Sequence, residues 1–576
     1  MKNSKRLLLL LLLLTLVIVP AAGCTTDTSE SQPAEVEVND GTYQGQGSGY
    51  GGPLEVEVTV ADGAITDLVV NEHNESTPVY NRALPVLKER ILAANSPQVD
   101  TVTAASFTSF AVKTAVSEAM KEAGHDFDEI RFQEEASEEE TETPQLDAVE
   151  TGIVIVGGGP AGISAAITAK EAGADDILLI EKLDILGGNG KFDMNFYDLI
   201  NSEAQKAQGI ELDVDDFLEM KENARDTKER FTVWGEMSYE LDAWFRDMGI
   251  ELNHAYGATN HMSEEDEYAG EEIHDHLEEK LRELDIEVRT GTKAVDLIIE
   301  DGQAAGIKAE SKDGTYDIRA KAVVVATGGF ASNKELLAQY VPGAEELATS
   351  NQIGTTGDMI PVFEAHDLQL GNMERLNVFP FIVRHSRDLT GGADDFILVN
   401  ENGERFVTEN GRGLDFGHVI LQQPGKKAYY LYDDEAFHSA YRLQKHVDLG
   451  YHTKADTLEE LAEALGIDAD NLTQTVETYN QAIRGETTDP FRGDDVFERP
   501  FAESGPYYGV EVESAIHMTL GGVVANEKGQ VLTGDNTPVE GLYAAGEVTD
   551  VSGAFNAAIA FGRITGKEAA AYVSGQ

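Results

Sequence analysis

Apolar and polar positions divide this chain into regions of different rhythm. Residues 54–60 (Leu-Glu-Val-Glu-Val-Thr-Val) alternate with period two, as a strand with one buried face does. A turn at Ala61-Asp62-Gly63-Ala64 and a second apolar stretch at 65–70 complete a predicted β-hairpin. Helical spacing follows over about 84–94 and 110–123. The run Glu134-Glu135-Ala136-Ser137-Glu138-Glu139-Glu140 is too charged and too poor in apolar residues to fold, so 126–150 reads as a linker. From Thr151 the pattern becomes that of an α/β domain. Ile153-Val154-Ile155-Val156 is a continuously apolar strand, a helix runs on to Lys170, and Ile177-Leu178-Leu179-Ile180 is a second buried strand. Further helical pieces lie at 457–465 and 472–484, and no internal repeat is evident.

Composition narrows the classes. The 576 residues are 41% hydrophobic with 56 Gly, which fits several folded units and excludes a mainly disordered chain. A net charge of −61 repels phosphate and argues against nucleic-acid binding. A single Cys, Cys24, excludes a disulfide framework, a Cys-ligated cluster and c-type haem attachment. Lys2, Lys5 and Arg6 followed by an apolar run over 7–19 describe a secretory signal. Ala21-Ala22-Gly23-Cys24 resembles a bacterial lipoprotein cleavage site, which implies residues 1–23 as a signal peptide, lipidation of Cys24, and a tether over 24–38 outside the cytoplasmic membrane.

The strand at 153–156 enters Gly157-Gly158-Gly159-Pro160-Ala161-Gly162. In this fingerprint the first glycine permits the tight turn, the second admits a pyrophosphate against the backbone, and the third brings helix and strand together. The helix N-terminus then favours the anion. Glu181 lies 24 residues after Gly157, placed to accept from a ribose hydroxyl, and argues against a 2′-phosphate.

Three further segments resemble the fumarate reductase and succinate dehydrogenase flavoprotein superfamily: Leu186-Gly187-Gly188-Asn189-Gly190, Ala326-Thr327-Gly328-Gly329-Phe330, and Gly541-Leu542-Tyr543-Ala544-Ala545-Gly546-Glu547. Thr355-Thr356-Gly357-Asp358 is similar to that superfamily's Thr-Gly-Asp-Gly loop. The resemblance spans about 151–572. It implies non-covalent FAD held by Gly157, Gly159, Ala161, Gly162, Glu181, Gly188, Asn189, Gly190, Ala294, Thr327, Gly328, Gly329, Asp358, Gly546 and Glu547, the last reaching the ribityl chain. The implied fold is α/β. A Rossmann-like FAD-binding domain (151–366 and 506–576) carries an inserted α+β capping domain (367–505), and a small α+β FMN-binding domain (39–125) precedes both.

For that small domain, Asp100-Thr101-Val102-Thr103-Ala104-Ala105-Ser106 resembles the FMN-binding-domain sequence Asp-x-x-(Ser/Thr)-Gly-Ala-(Thr/Ser), with Ala104 replacing the Gly. The Gly-rich stretch 45–53 and a helix with Ala111 and Ala115 add to the likeness. It implies FMN joined by a flavin transferase through a phosphoester to Ser106. The alternative is a helix N-terminus capped by Ser106 or Ser109 and chemically idle.

Together these features resemble secreted fumarate and urocanate reductases, in which a hydride from FAD goes to an activated C=C bond and an Arg gives the proton. The resemblance implies a membrane electron donor that loads FMN, FMN passing electrons to FAD, and a small-molecule enoate or enone as acceptor. Gly403-Glu404-Arg405-Phe406-Val407-Thr408-Glu409 resembles the stretch before the catalytic Arg, whose position is Gly413 here, so Arg412 becomes the candidate. His517-Met518-Thr519-Leu520-Gly521-Gly522 keeps one His of the family's pair, making His517 the second catalytic candidate. Phe379-Pro380-Phe381 and Gly553-Ala554-Phe555-Asn556 stand where dicarboxylate clamps occur in relatives. Fumarate therefore fits poorly, and a larger, less charged acceptor fits Phe379, Phe381 and Phe555 better. Two other readings stay open: a ketosteroid-type dehydrogenase passing electrons outward through FMN, and a non-catalytic electron carrier. His274-Asp275-His276 has no third ligand in view and reads as a solvated helix face, so no metal is expected.

Overall fold

The computed structural model describes residues 39–575 except 50–51, 62, 74–76, 100–105, 125–143, 184, 192–195, 222–226, 257, 263–268, 353, 384–387, 394, 449, 494–498 and 551–553. The expected signal peptide, Cys24, the tether and most of the linker lie outside these residues, as does 100–105 ahead of Ser106.

The small domain contains the predicted hairpin, β2 (Gly52–Ala61) with β3 (Ala64–His73), and adds a third strand, β1 (Gly41–Gly49), on the far edge of β2. Period two is kept: Leu54, Val56, Val58 and Val60 are buried while Glu55, Glu57 and Thr59 are not. Two helices, α1 (Thr77–Ala94) and α2 (Ser106–Glu122), complete the core through Ala83, Leu87, Ile91, Ala111, Ala115 and Ala119. The strand β1 escapes sequence reading because it is glycine-rich, and its glycines have a packing reason. A Cβ on Gly45 would lie 2.0 Å from the Ala115 carbonyl oxygen, and one on Gly47 would lie 2.0 Å from that of Ala111. Glycine there lets α2 rest directly on the strand.

The large domain is built on a mainly parallel sheet. Its elements are β4 (Val149–Val156), α3 (Pro160–Glu171), β5 (Ile177–Ile180), α4 (Ala269–Glu283), β6 (Glu287–Arg289), β7 (Thr292–Glu300), β8 (Gln303–Ser311) and β9 (Gly314–Val325). Strand order is β7-β8-(Pro538–Ala544)-β9-β4-β5-β6, parallel from Pro538–Ala544 to β6, with β7, β8 and β9 an antiparallel meander. Ile153–Val156 and Val323–Val325 are buried on both faces, which is why they read as unbroken apolar runs. The C-terminal helix Ala554–Ser574 crosses α3 at close quarters. A Cβ on Gly562 or Gly566 would lie 2.3 Å from the carbonyl oxygen of Ala161 or Ala165. That crossing brings the two helices into contact close to the carboxyl ends of the strands.

A second sheet comprises β10 (Leu376–Val383), β11 (Ile397–Val399), β12 (Ala428–Asp433) and β13 (Tyr507–Thr519), with helices α5 (Gly413–Leu421), α6 (Tyr441–Asp448), α7 (Leu458–Leu465) and α8 (Ala469–Ile483). Its core is aromatic, with Phe381, Phe396, Tyr430, Tyr432 and Tyr508 buried together. The strand β13 falls beyond the expected boundary at 505, yet it pairs with β10 and β12 and forms the spine of this second sheet. Ala348–Thr349, before the expected boundary at 366, pairs with it as well.

Candidate functional site

Four parallel strands end side by side, and each hands its chain to a turn lining one cavity: β4 to Gly157, β5 to Glu181, β9 to Ala326-Thr327-Gly328, and Pro538–Ala544 to Ala545-Gly546-Glu547. Open α/β sheets bind ligands in this crevice. The cavity measures about 1320 Å³ with its open mouth. Pro160 and Ala161 at the start of α3, and Ala554 and Phe555 at the start of the C-terminal helix, line the same space. Two helix N-termini therefore favour negative charge there.

The glycines of the fingerprint divide their tasks. Gly157 has φ +112°, and a Cβ would meet the Ala326 carbonyl oxygen at 2.3 Å, so the tight turn requires it. A Cβ on Gly162 would lie 1.8 Å from the Gly157 carbonyl oxygen, which makes Gly162 the packing glycine. A Cβ on Gly159 would meet nothing nearer than Gly188 Cα at 3.9 Å, so this glycine opens the backbone to the cavity. Glu181 accepts from the N–H groups of Gly158 (2.7 Å) and Leu183 (2.8 Å), while burial pushes its carboxyl up. Asn189 braces two loops, donating to Asn351 and accepting from the Gln352 N–H at 2.9 Å. Burial raises Asp358, but Lys182 at 2.5 Å and Lys293 at 2.9 Å more than offset it and hold the carboxyl low. Glu547 Oε1 accepts from the Thr519 N–H (2.9 Å) and hydroxyl (3.0 Å), leaving Oε2 for a ligand hydroxyl. Burial pushes this carboxyl up to about 7. Thr327 Oγ1 is buried without a hydrogen-bond partner among the described residues. An open glycine, an orphaned hydroxyl and two buried acids fit a dinucleotide with sugar hydroxyls.

Gly188, Asn189, Gly190, Ala294, Gly328, Asp358 and Gly546 also line the cavity. Gly329 lies just behind it, where a Cβ would collide with Thr519 Oγ1 and Glu547 Oε1. Sequence reading missed Lys182, Lys293, Ser350, Asn351 and Gln352, which also line it. Only the fold brings 350–352 to Asn189, across more than 160 residues.

The second sheet meets the cavity through the end of β13. His517 and Met518 line it, and His517 Nδ1 lies 2.9 Å from Ser350 Oγ with Phe379 edge-on at 4.7 Å between ring centres. Burial first, and the nearby Arg442 charge second, bring the His517 ring down to about 4. It is therefore neutral at pH 7 and offers a hydrogen-bonding nitrogen rather than a proton. Phe555 lines the cavity, but Phe381 belongs to the core of the second sheet.

Arg412, the expected proton donor, is not among the residues that line the cavity. Glu409 is pinned inward by Arg405 (2.6 Å) and Arg492 (3.0 Å), and Arg405 also pairs with Asp489. After this buried network the chain turns into α5 with Arg412 as the exposed N-cap residue, its Nη1 donating to the Gly411 carbonyl at 2.8 Å. The Gly403–Glu409 stretch is thus an anchor for the second sheet. The expectation for His274 is corrected. It is fully buried rather than solvated, stacked on Phe555 with ring centres 5.8 Å apart, and burial lowers it to about 3. Among the described residues no cluster of His, Cys, Asp and Glu is arranged to hold a metal.

Ser106 is the first residue of α2, and its side chain lies outside the described residues. A hydroxyl at a helix N-terminus is suited to a phosphoester, since the free N–H groups face the phosphate.

The FAD binding domain family matches residues 152–558, and the FMN-binding domain family matches residues 49–121. The chain is 33% identical over 453 residues to fumarate reductase (cytochrome) of Shewanella frigidimarina, covering 73% of this chain and 77% of that protein. It is 30% identical over 577 residues to urocanate reductase of Eggerthella lenta, covering 92% of each. The solved open conformation of a flavocytochrome c3 fumarate reductase superposes with a TM-score of 0.67 at 30% identity, over 74% of this chain and 79% of that one.

Proposed function

The chain belongs to the FAD binding domain family of oxidoreductases and carries an FMN-binding domain ahead of it, and from that premise we propose that it reduces an activated C=C bond in a small enoate or enone other than fumarate. The relatives named for urocanate and fumarate reduction support the reaction class. The observation that carries the choice of acceptor is the wall facing the cavity, where Met518 and Phe555 stand beside a neutral His517. The second carboxylate of a dicarboxylate, desolvated against that wall, would lack compensating charge.

Bound in the cavity, FAD supplies hydride chemistry at its flavin ring, and FMN supplies a one- or two-electron relay. Gly159 and the first N–H groups of α3 receive the pyrophosphate, Glu181 a ribose hydroxyl and Glu547 a ribityl hydroxyl. Neutral His517, fixed by Ser350, presents a hydrogen bond to the carbonyl or carboxylate that activates the double bond. In the same proposal FMN is linked to Ser106 by a flavin transferase, a membrane donor supplies electrons, and Cys24 carries a lipid that holds the protein outside the cytoplasmic membrane.

Anaerobic assays with reduced viologen test this reading. Oxidation of the dye by cinnamate or an enone, faster than by fumarate, is the expected result. Reduction of oxidised dye by saturated compounds would reverse the direction. Inertness toward every small molecule would leave electron carriage as the function.

A further inference from the structure

This chain has 104 acidic residues and 43 Lys+Arg, so cations are scarce and carboxylates plentiful. The cations around the cavity follow that arithmetic: Lys182 and Lys293 pair with Asp358, and Lys191 pairs with Asp275 and Glu278. In the second sheet's domain, Arg405 and Arg492 pair with Glu409, and Arg499 with Asp433. Arg442 departs from the pattern. It is half-buried on α6 and makes no ion pair with any described carboxylate. Its guanidinium instead lies over the Phe196 ring at 6.0 Å from the centroid.

Neither Arg442 nor Phe196 lines the cavity itself, and two observations relate the pair to its lining residues Phe555 and His517. Phe196 precedes Tyr197, whose ring meets cavity-lining Phe555 edge-on at 5.0 Å. Arg442 is also close enough to His517 for its charge to weigh on that ring. The helix that carries it is held firmly. On α6, Leu443 and His446 are fully buried, and His446 Nδ1 lies 3.1 Å from Thr390 Oγ1. A half-buried cation aimed by a fixed helix, lying over an aromatic ring and paired with no acid among the described residues, is suited to an anion from outside the chain.

We propose that Arg442 is the substrate-anchoring cation, receiving the carboxylate of a monoanionic enoate whose apolar or aromatic remainder lies along Phe196, Phe379 and Phe555. This deepens the reductase reading and rests on it for the double bond, but the anchor itself concerns binding alone.

The test uses the oxidised, flavin-loaded protein and two unreactive probes, 3-phenylpropanoate and 3-phenylpropanamide, titrated against the visible flavin band. Wild type is expected to bind the carboxylate saturably. R442Q should weaken that binding by about 30-fold, the scale of a lost charge-assisted hydrogen bond, and leave amide binding within about twofold. R442K should fall between the two. Carboxylate binding by R442Q equal to wild type would overturn the proposal, as would equal loss of both probes or no saturable binding by wild type. The two readings fail separately. Carboxylate binding through Arg442 without reduction of any enoate would sink the reductase reading alone, whereas enoate reduction with unchanged KM in R442Q would sink the anchor alone.

Discussion

Both flavin-binding units of this chain begin with glycine-rich sequence, and the glycines do different things. In β1 of the small domain, Gly45 and Gly47 are packing residues that let α2 settle onto a strand. In the large domain, Gly162 does the same work between α3 and the strand end, but Gly159, three residues away, has open space where a side chain would stand. A glycine motif is therefore a mixture of packing and access. Which glycine serves which end is decided by the distance to the nearest backbone, not by spacing in the sequence.

The comparison can be broken most completely at Ser106. Ser106→Ala should abolish covalent FMN while FAD stays bound, which intact-mass measurement and acid release of flavin will show. An FMN-sized mass increment surviving in the variant would remove Ser106 as the attachment point. The contrast between the two fingerprint glycines is next. Gly162→Ala forces a Cβ against the Gly157 carbonyl and should cost about 3 kcal/mol in denaturant titrations of the flavin-free chain. Gly159→Ala should cost less than about 0.5 kcal/mol there, yet weaken FAD retention measurably. Equal destabilisation by both would erase the distinction.

Glu547 gives an effect that depends on pH. Its folded-state pKa of about 7 lies above the unfolded value, so the protonated carboxyl favours the fold at low pH. That stability is lost as pH rises through 7, by about 3 kcal/mol over the window from 4.5 to 7. Glu547→Gln should flatten the profile of the flavin-free chain over this window, checked by denaturation at several pH values. The smallest effect is expected at Arg412. Arg412 is exposed and, among the described residues, bonded only to its neighbour's carbonyl, so Arg412→Ala should leave turnover with the preferred acceptor within about twofold.

Much of the FAD cradle was legible in the sequence because it is local. The strand at 153–156, the six residues that follow, the strand at 177–180 and Glu181 are contiguous, and their periodicity and turn chemistry leave little choice. Thr457 likewise announces α7 as its N-cap, accepting from the Glu460 N–H at 3.1 Å. Pairing partners were not legible. The stretch 507–519 was expected within the FAD-binding segment, and only the folded chain shows it as a strand of the second sheet. Of the side chains facing the flavin cradle, His517 and Met518 come from the second sheet, so sequence spacing made Arg412 look suitable while Arg442 drew no notice. Their difference is tertiary: one is exposed just ahead of α5, and the other lies over Phe196.

The central claim is that one chain carries two different flavins, one in each unit. Acid precipitation of the purified protein tests it directly. The account predicts FAD free in the supernatant and FMN on the precipitated chain, in equal amounts, with the FMN confined to the peptide containing Ser106. A single flavin species, or FAD retained on the precipitate, would contradict it.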